Sequence, residues 1–109
     1  MTSLERRAAP RFRMQLPLAI RWTDGRNVGE ASSVSRDVSS RGVSFLLNKP
    51  IESGSLVEIV MTLPHDITLA GPVRVRCLGR ILRANAEETS NYQLAAAIDR
   101  YEFLRLGAA

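Results

Sequence analysis

The chain has 109 residues, 45% of them hydrophobic, which is enough for one compact domain and too little for two. Basic residues outnumber acidic ones 15 to 11, a net charge of +4, and every basic residue except Lys49 is an arginine. No apolar run approaches the roughly 20 residues of a membrane-spanning helix, and Cys77, the single cysteine, excludes an internal disulfide and fits a reducing compartment.

Residues 1–13 hold Arg6, Arg7, Arg11 and Arg13 against Glu5, with no apolar period. They read as a flexible arm ordered only by contact, and their charge excludes an apolar secretion signal. The expected setting is soluble and cytoplasmic. From there, period-2 alternation marks half-buried antiparallel strands. Leu16, Leu18, Ile20 and Trp22 share one face, and Asp24-Gly25 suits a tight hairpin turn. A polar strand is expected from about Asn27 to Arg36. Val43, Phe45 and Leu47 form a short inward set, and Val57, Ile59, Met61 and Leu63 form another. Val73, Val75, Cys77 and Ile81 alternate with Arg74, Arg76 and Arg80, giving a strand with one basic face, in which Gly79 marks a bulge or a close approach to the backbone. Tyr92, Leu94, Ala96 and Ile98 form the last strand. Asp99-Arg100-Tyr101-Glu102 has the spacing of a capping box and predicts a helix from Arg100 to about Leu106. The expectation is a single all-β domain over 1–109: the arm (1–13), a small six-stranded antiparallel β-barrel (14–98) and a short C-terminal helix (99–106).

Catalysis finds little support. His65 is the only histidine, which leaves no Ser/His/Asp set and no histidine-rich metal site, and His65-Asp66 after Pro64 reads as a turn. Cys77 has the phase of a buried structural thiol. Glu87 and Glu88 lie in a polar loop that would not raise a carboxyl pKa, and no glycine-rich phosphate loop leads into a helix. No enzyme, metal or cofactor is expected.

The positive charge is local. Residues 1–13 carry net +3 and residues 71–84 net +4, while 42–70 and 85–109 are each net −2. The arginines of 71–84 suit a solubilising strand face; the crowd in the arm is harder to explain that way. Two stretches combine into a recognisable chemistry. Arg7 and Arg11 stand four apart in a segment stiffened by Pro10, and Asp37-Val38-Ser39-Ser40-Arg41-Gly42 occupies a turn between two expected strands. Guanidinium forks match phosphate oxygens or the O6 and N7 acceptors of guanine. A carboxylate accepts from the guanine N–H edge, while Ser hydroxyl and loop N–H groups bind phosphate.

The pair RxxxR (Arg7, Arg11) and DxSxxG (Asp37, Ser39, Gly42), with 25 residues between Arg11 and Asp37, resembles the two-part signature of the PilZ domain family of bacterial cyclic di-GMP receptors. That family is built on a six-stranded antiparallel β-barrel, and the resemblance covers nearly the whole chain. It implies that Arg7 and Arg11 grip guanine edges and phosphates from the arm, that Asp37 and Ser39 contact the base and neighbouring groups, and that Gly42 shapes the loop. Arg6, just before the motif, implies a stacked pair of ligand molecules. Arg36, Arg41 and one of Arg76 or Arg80 are candidates for extra contacts, against solubility as their other explanation. The ligand would neutralise the arm and draw it across the barrel, a disorder-to-order switch presenting a new surface to a downstream protein, with a ligand-dependent homodimer as a further partner state. Two rival readings belong to other classes: a single-stranded nucleic-acid-binding barrel, disfavoured because six aromatics leave few exposed stacking platforms, and a nucleotide-independent protein-interaction module.

Overall fold

The computed structural model describes residues 12–63, 73–87 and 91–105. Its elements are β1 (Phe12–Arg13), β2 (Pro17–Asp24), β3 (Asn27–Val38), β4 (Gly42–Leu47), β5 (Leu56–Leu63), β6 (Val73–Ala86) and β7 (Tyr92–Arg105). All pairings are antiparallel and run in the order β3-β2-β5-β6-β7-β4, and β4 returns to pair with β3. Six strands therefore close into a barrel, and β1 adds to β3 beyond the start of β2. Among the described residues no helix is long and apolar enough to cross a membrane.

The alternation read from the sequence is what fills the barrel. Leu16, Leu18, Ile20 and Trp22 are buried with Val43, Phe45 and Leu47, with Val57, Ile59 and Met61, with Val75, Cys77 and Ile81, and with Leu94, Ala96 and Ile98. Leu63 and Tyr92 pack against this core only partly buried. The tight turn at Gly25-Arg26 lets Asp24 face Asn27, and β3 runs two residues past its expected end.

Two irregularities shape the wall. Between β1 and β2, where the Met14 N–H donates to the Arg36 carbonyl and the Ser35 N–H to the Leu16 carbonyl, the Ser35 side chain supplements the backbone bonds: its hydroxyl accepts from the Leu16 N–H at 2.9 Å and donates to the Met14 carbonyl at 2.5 Å. This explains why a serine is buried in an apolar interior. Its neighbour Arg36 falls in a register shift of β3 against β4 between Ser35 and Asp37. The second irregularity is at Gly79, where β6 shifts register against β7. A Cβ there would lie 1.8 Å from the Ala97 carbonyl oxygen, so only glycine lets β7 come this close.

One expectation is overturned. The segment Asp99–Arg105 is not a helix but the second half of β7, paired with β6 through Tyr101↔Cys77 and Phe103↔Val75. The bulge at Gly79 resets the phase, and Arg100-Tyr101-Glu102-Phe103 then alternates polar and apolar as a strand requires. Cross-strand pairing outweighs a capping-box spacing that has no apolar helical stripe behind it. The arm boundary also moves, because Phe12–Arg13 belong to β1.

The outer face carries a chain of alternating charge across five strands. Glu30 on β3 pairs with Arg21 on β2 at 2.8 Å, and Arg21 stands opposite Glu58 on β5. Glu58 pairs with Arg76 on β6 at 2.5 Å, and Arg76 with Glu102 on β7 at 3.5 Å. Each exposed pair contributes little by itself, but together they neutralise most of this face.

Candidate functional site

The site is built on the turn from β3 to β4. Asp37 ends the bent part of β3, where its backbone N–H donates to Ser44 Oγ at 3.2 Å and the Ser44 hydroxyl donates to Asp37 Oδ2 at 3.3 Å. The carboxylate is thus fixed from β4. Ser39 organises the loop from within. Its Oγ accepts from the N–H groups of Arg41 and Gly42, each at 3.1 Å, and its own N–H donates to the Gly42 carbonyl at 2.9 Å.

Strand β7 holds the loop from outside. The Ile98 N–H donates to the Arg41 carbonyl at 2.8 Å, and the Tyr101 hydroxyl donates to the Ser39 carbonyl at 2.6 Å. Burial, and to a lesser degree the neighbouring Cys77, pushes the Tyr101 pKa up to about 12, so the phenol stays a neutral donor. Gly42 is required by the same strand: a Cβ would lie 2.8 Å from the Ala96 carbonyl oxygen. The resemblance implied that this glycine shapes the loop, and the close approach of β7 gives a reason for it.

The loop forms one wall of a cleft of about 370 Å³. Asp37, Ser39, Arg41 and Gly42 line one side, Leu82, Arg83 and Asn85 of β6 the other, with Ser44 and Gln93 between them. Arg36 lies at its edge, where Nη1 donates to Gln93 Oε1 at 3.1 Å and stands 3.6 Å from Glu87. Two guanidinium groups, one carboxylate and several neutral polar groups therefore converge on one opening. Such a set can hold an anion and a planar group with N–H donors together.

The remaining sequence candidates lie elsewhere. Arg76 is engaged by Glu58 and Glu102, and Arg80 stands 3.7 Å from Asp99; neither lines the cleft. Arg83, absent from the sequence candidates, does line it. A second register shift, between Ile81 and Arg83, changes the phase of β6 there, and simple alternation from Arg74 onward could not anticipate this. Arg6, Arg7 and Arg11 lie outside the described residues, as do His65 and Asp66. The chain after Arg11 is described, however: Phe12 pairs with Val38 and Arg13 with Asp37. Residue 12 therefore sits in register between the Asp and the Ser of the loop motif. Cys77 is fully buried, which pushes its thiol up to about 12 and leaves it inert as a nucleophile at neutral pH. Among the described residues, no cluster of His, Cys, Asp and Glu could hold a metal ion.

Comparison with known proteins gives two positive findings. The family model described as the PilZ domain matches residues 5–106. The structure of the inhibitor of motility MotI/DgrA from Bacillus subtilis superposes with a TM-score of 0.70 at 14% sequence identity, covering 88% of this chain and 44% of that one. At that identity the likeness is one of fold, and this chain corresponds to less than half of the Bacillus protein. No curated protein matches the sequence.

Proposed function

The chain belongs to the PilZ domain family, and from that premise we propose that it is a receptor for cyclic di-GMP, held between the arm arginines Arg7 and Arg11 and the loop residues Asp37, Ser39 and Gly42. PilZ domains are binding and adaptor modules, and the reading here involves no catalysis. One observation carries it: β1 pairs Phe12 with Val38 and Arg13 with Asp37, so RxxxR ends one residue before a strand zipped to the start of DxSxxG. The chain that continues from the first motif half thereby runs beside the start of the second, whose loop lines a cleft together with Arg83. The Asp37 carboxylate offers an acceptor to guanine N–H groups, and the guanidinium groups offer forks to phosphate and to O6 and N7. Arg36 is a candidate extra contact at the edge, and Arg6 would favour a stacked ligand pair.

In this reading the dianionic ligand neutralises the arm and fixes it against the barrel, creating a surface for a partner protein. The structural relative from Bacillus subtilis is named an inhibitor of motility; an adaptor acting on another protein, in the cytoplasm, is the corresponding role here. Titration of the full chain with cyclic di-GMP by calorimetry tests the proposal. Saturable binding is expected, and no heat of binding at about 100 μM ligand would overturn it.

The nucleic-acid alternative fares worse on two observations. The arginines that gave β6 its basic face are largely paired, Arg76 with two acids and Arg80 beside Asp99. Among the described aromatic side chains, Trp22 and Phe45 are buried, Tyr92 and Tyr101 half-buried, and Phe103 alone is exposed. That leaves no row of stacking platforms. Salt-dependent binding of any oligonucleotide, without preference for the cyclic dinucleotide, would favour this alternative.

A further inference from the structure

The wall of the cleft opposite the motif loop contains a bulge that brings an apolar side chain to the opening. Between Ile81↔Ala96 and Arg83↔Ala95, β6 carries one residue more than β7, and the extra residue is Leu82. It is 52% exposed and lines the cleft beside Arg83, with Ala95 and Ala96 across the ladder. Other apolar side chains are exposed on this barrel, but Leu82 is the exposed apolar one among the residues that line the cleft. The turn at residues 52–55 fixes the backbone at Ile81 and at the bulged residue itself: Ser53 Oγ donates to the Leu82 carbonyl at 2.9 Å, the Gly54 N–H donates to the Ile81 carbonyl at 2.8 Å, and the Ile81 N–H donates to the Ser55 carbonyl at 2.9 Å. Bulges of this kind re-aim side chains next to binding sites.

We infer that Leu82 is a ligand-contacting residue, its side chain providing the apolar surface against which one face of a purine ring lies while Arg83 and Asn85 stand beside it. This rests on the nucleotide reading above and deepens it by assigning a residue to the base. The chemistry fits the class of ligand. A nucleotide joins a charged phosphate to a flat, poorly hydrated face, and a site that met only the charge would leave that face in water. Asp37 across the cleft addresses the polar edge of a base, and Leu82 supplies what its face needs.

The test uses the full chain and cyclic di-GMP, with the native protein, Leu82→Ser and Leu82→Phe titrated at low and high salt. Loss of the apolar contact should weaken binding by about tenfold in Leu82→Ser, with the thermal midpoint unchanged because the side chain is half exposed. Leu82→Phe, which enlarges the face, should bind at least as tightly as the native chain. The deficit of Leu82→Ser should persist at high salt, since what is lost is not electrostatic. Native affinity in Leu82→Ser, a deficit that vanishes at high salt, or an equal loss in Leu82→Phe would each overturn the inference while leaving the receptor reading intact. A native chain that does not bind would overturn both.

Discussion

The hydroxyl of Ser39 already accepts two amide hydrogens of its own loop and so fixes the backbone of Arg41 and Gly42. Tyr101 completes that shape by donating to the Ser39 carbonyl. Tyr101→Phe deletes this single bond without changing volume. It should cost about 1 kcal/mol in urea unfolding and weaken cyclic di-GMP binding several-fold by calorimetry, because the loop loses its anchor. Native affinity in this variant would show that the loop keeps its shape unaided. Gly42 invites a different caution. A side chain there would press on the Ala96 carbonyl, so lost binding in Gly42→Ala would report a displaced strand as readily as a lost ligand contact. The arm gives the cleaner substitutions. Arg7→Ala and Arg11→Ala should each abolish detectable binding and leave the thermal midpoint where it was; unchanged affinity in both would move the site elsewhere.

At the scale of elements, period-2 alternation was enough to assign the buried faces, because a closed barrel has one interior and each strand gives it every second residue. Leu18, Ile20 and Trp22, or Val43, Phe45 and Leu47, could hardly point elsewhere. Legibility failed where the count of residues per strand is uneven. The bulge at Gly79 turned an apparent capping box into strand, and the bulge at Leu82 brought Arg83, rather than Arg76 or Arg80, to the cleft. Neither event changes composition, and a bulge shows in sequence only when it needs a glycine, as one of these two does. The DxSxxG half of the site was legible as a motif, but its dependence on Ile98 and Tyr101 was not, since these lie more than 50 residues further along the chain. The Gly79 bulge also yields a stability prediction. Gly79→Ala drives a methyl group into the Ala97 carbonyl, and the packed ribbon of β6 and β7 should lose about 3 kcal/mol or more in urea unfolding. A loss under about 1 kcal/mol would mean that β7 can shift aside.

For the molecule as a whole, net charge is a poor guide to what it attracts. The outer face is laced with ion pairs, whereas Arg41 and Arg83 line one cleft. Stability at alkaline pH follows from one buried group and one half-buried group. The Cys77 thiol rises from 9.0, and the Tyr101 phenol from 10.0, each to about 12 on folding. Above about pH 9 the unfolded chain releases protons that the folded chain retains, so the contribution of both groups is whole below that pH and is lost as pH climbs toward 12. The urea midpoint should therefore fall between about pH 8 and about pH 10.5, less steeply in Cys77→Ala; an unchanged midpoint in the native chain would show that both groups ionise freely in the fold. The two hydrogen bonds from β7 to the motif loop carry a different implication, one of timing. On the ribosome Asp37–Gly42 emerges long before Ile98 and Tyr101. A nascent or truncated chain lacking β7 would display every residue of the loop motif without the loop's shape, so the shaped loop would arrive only with the strand that finishes the barrel.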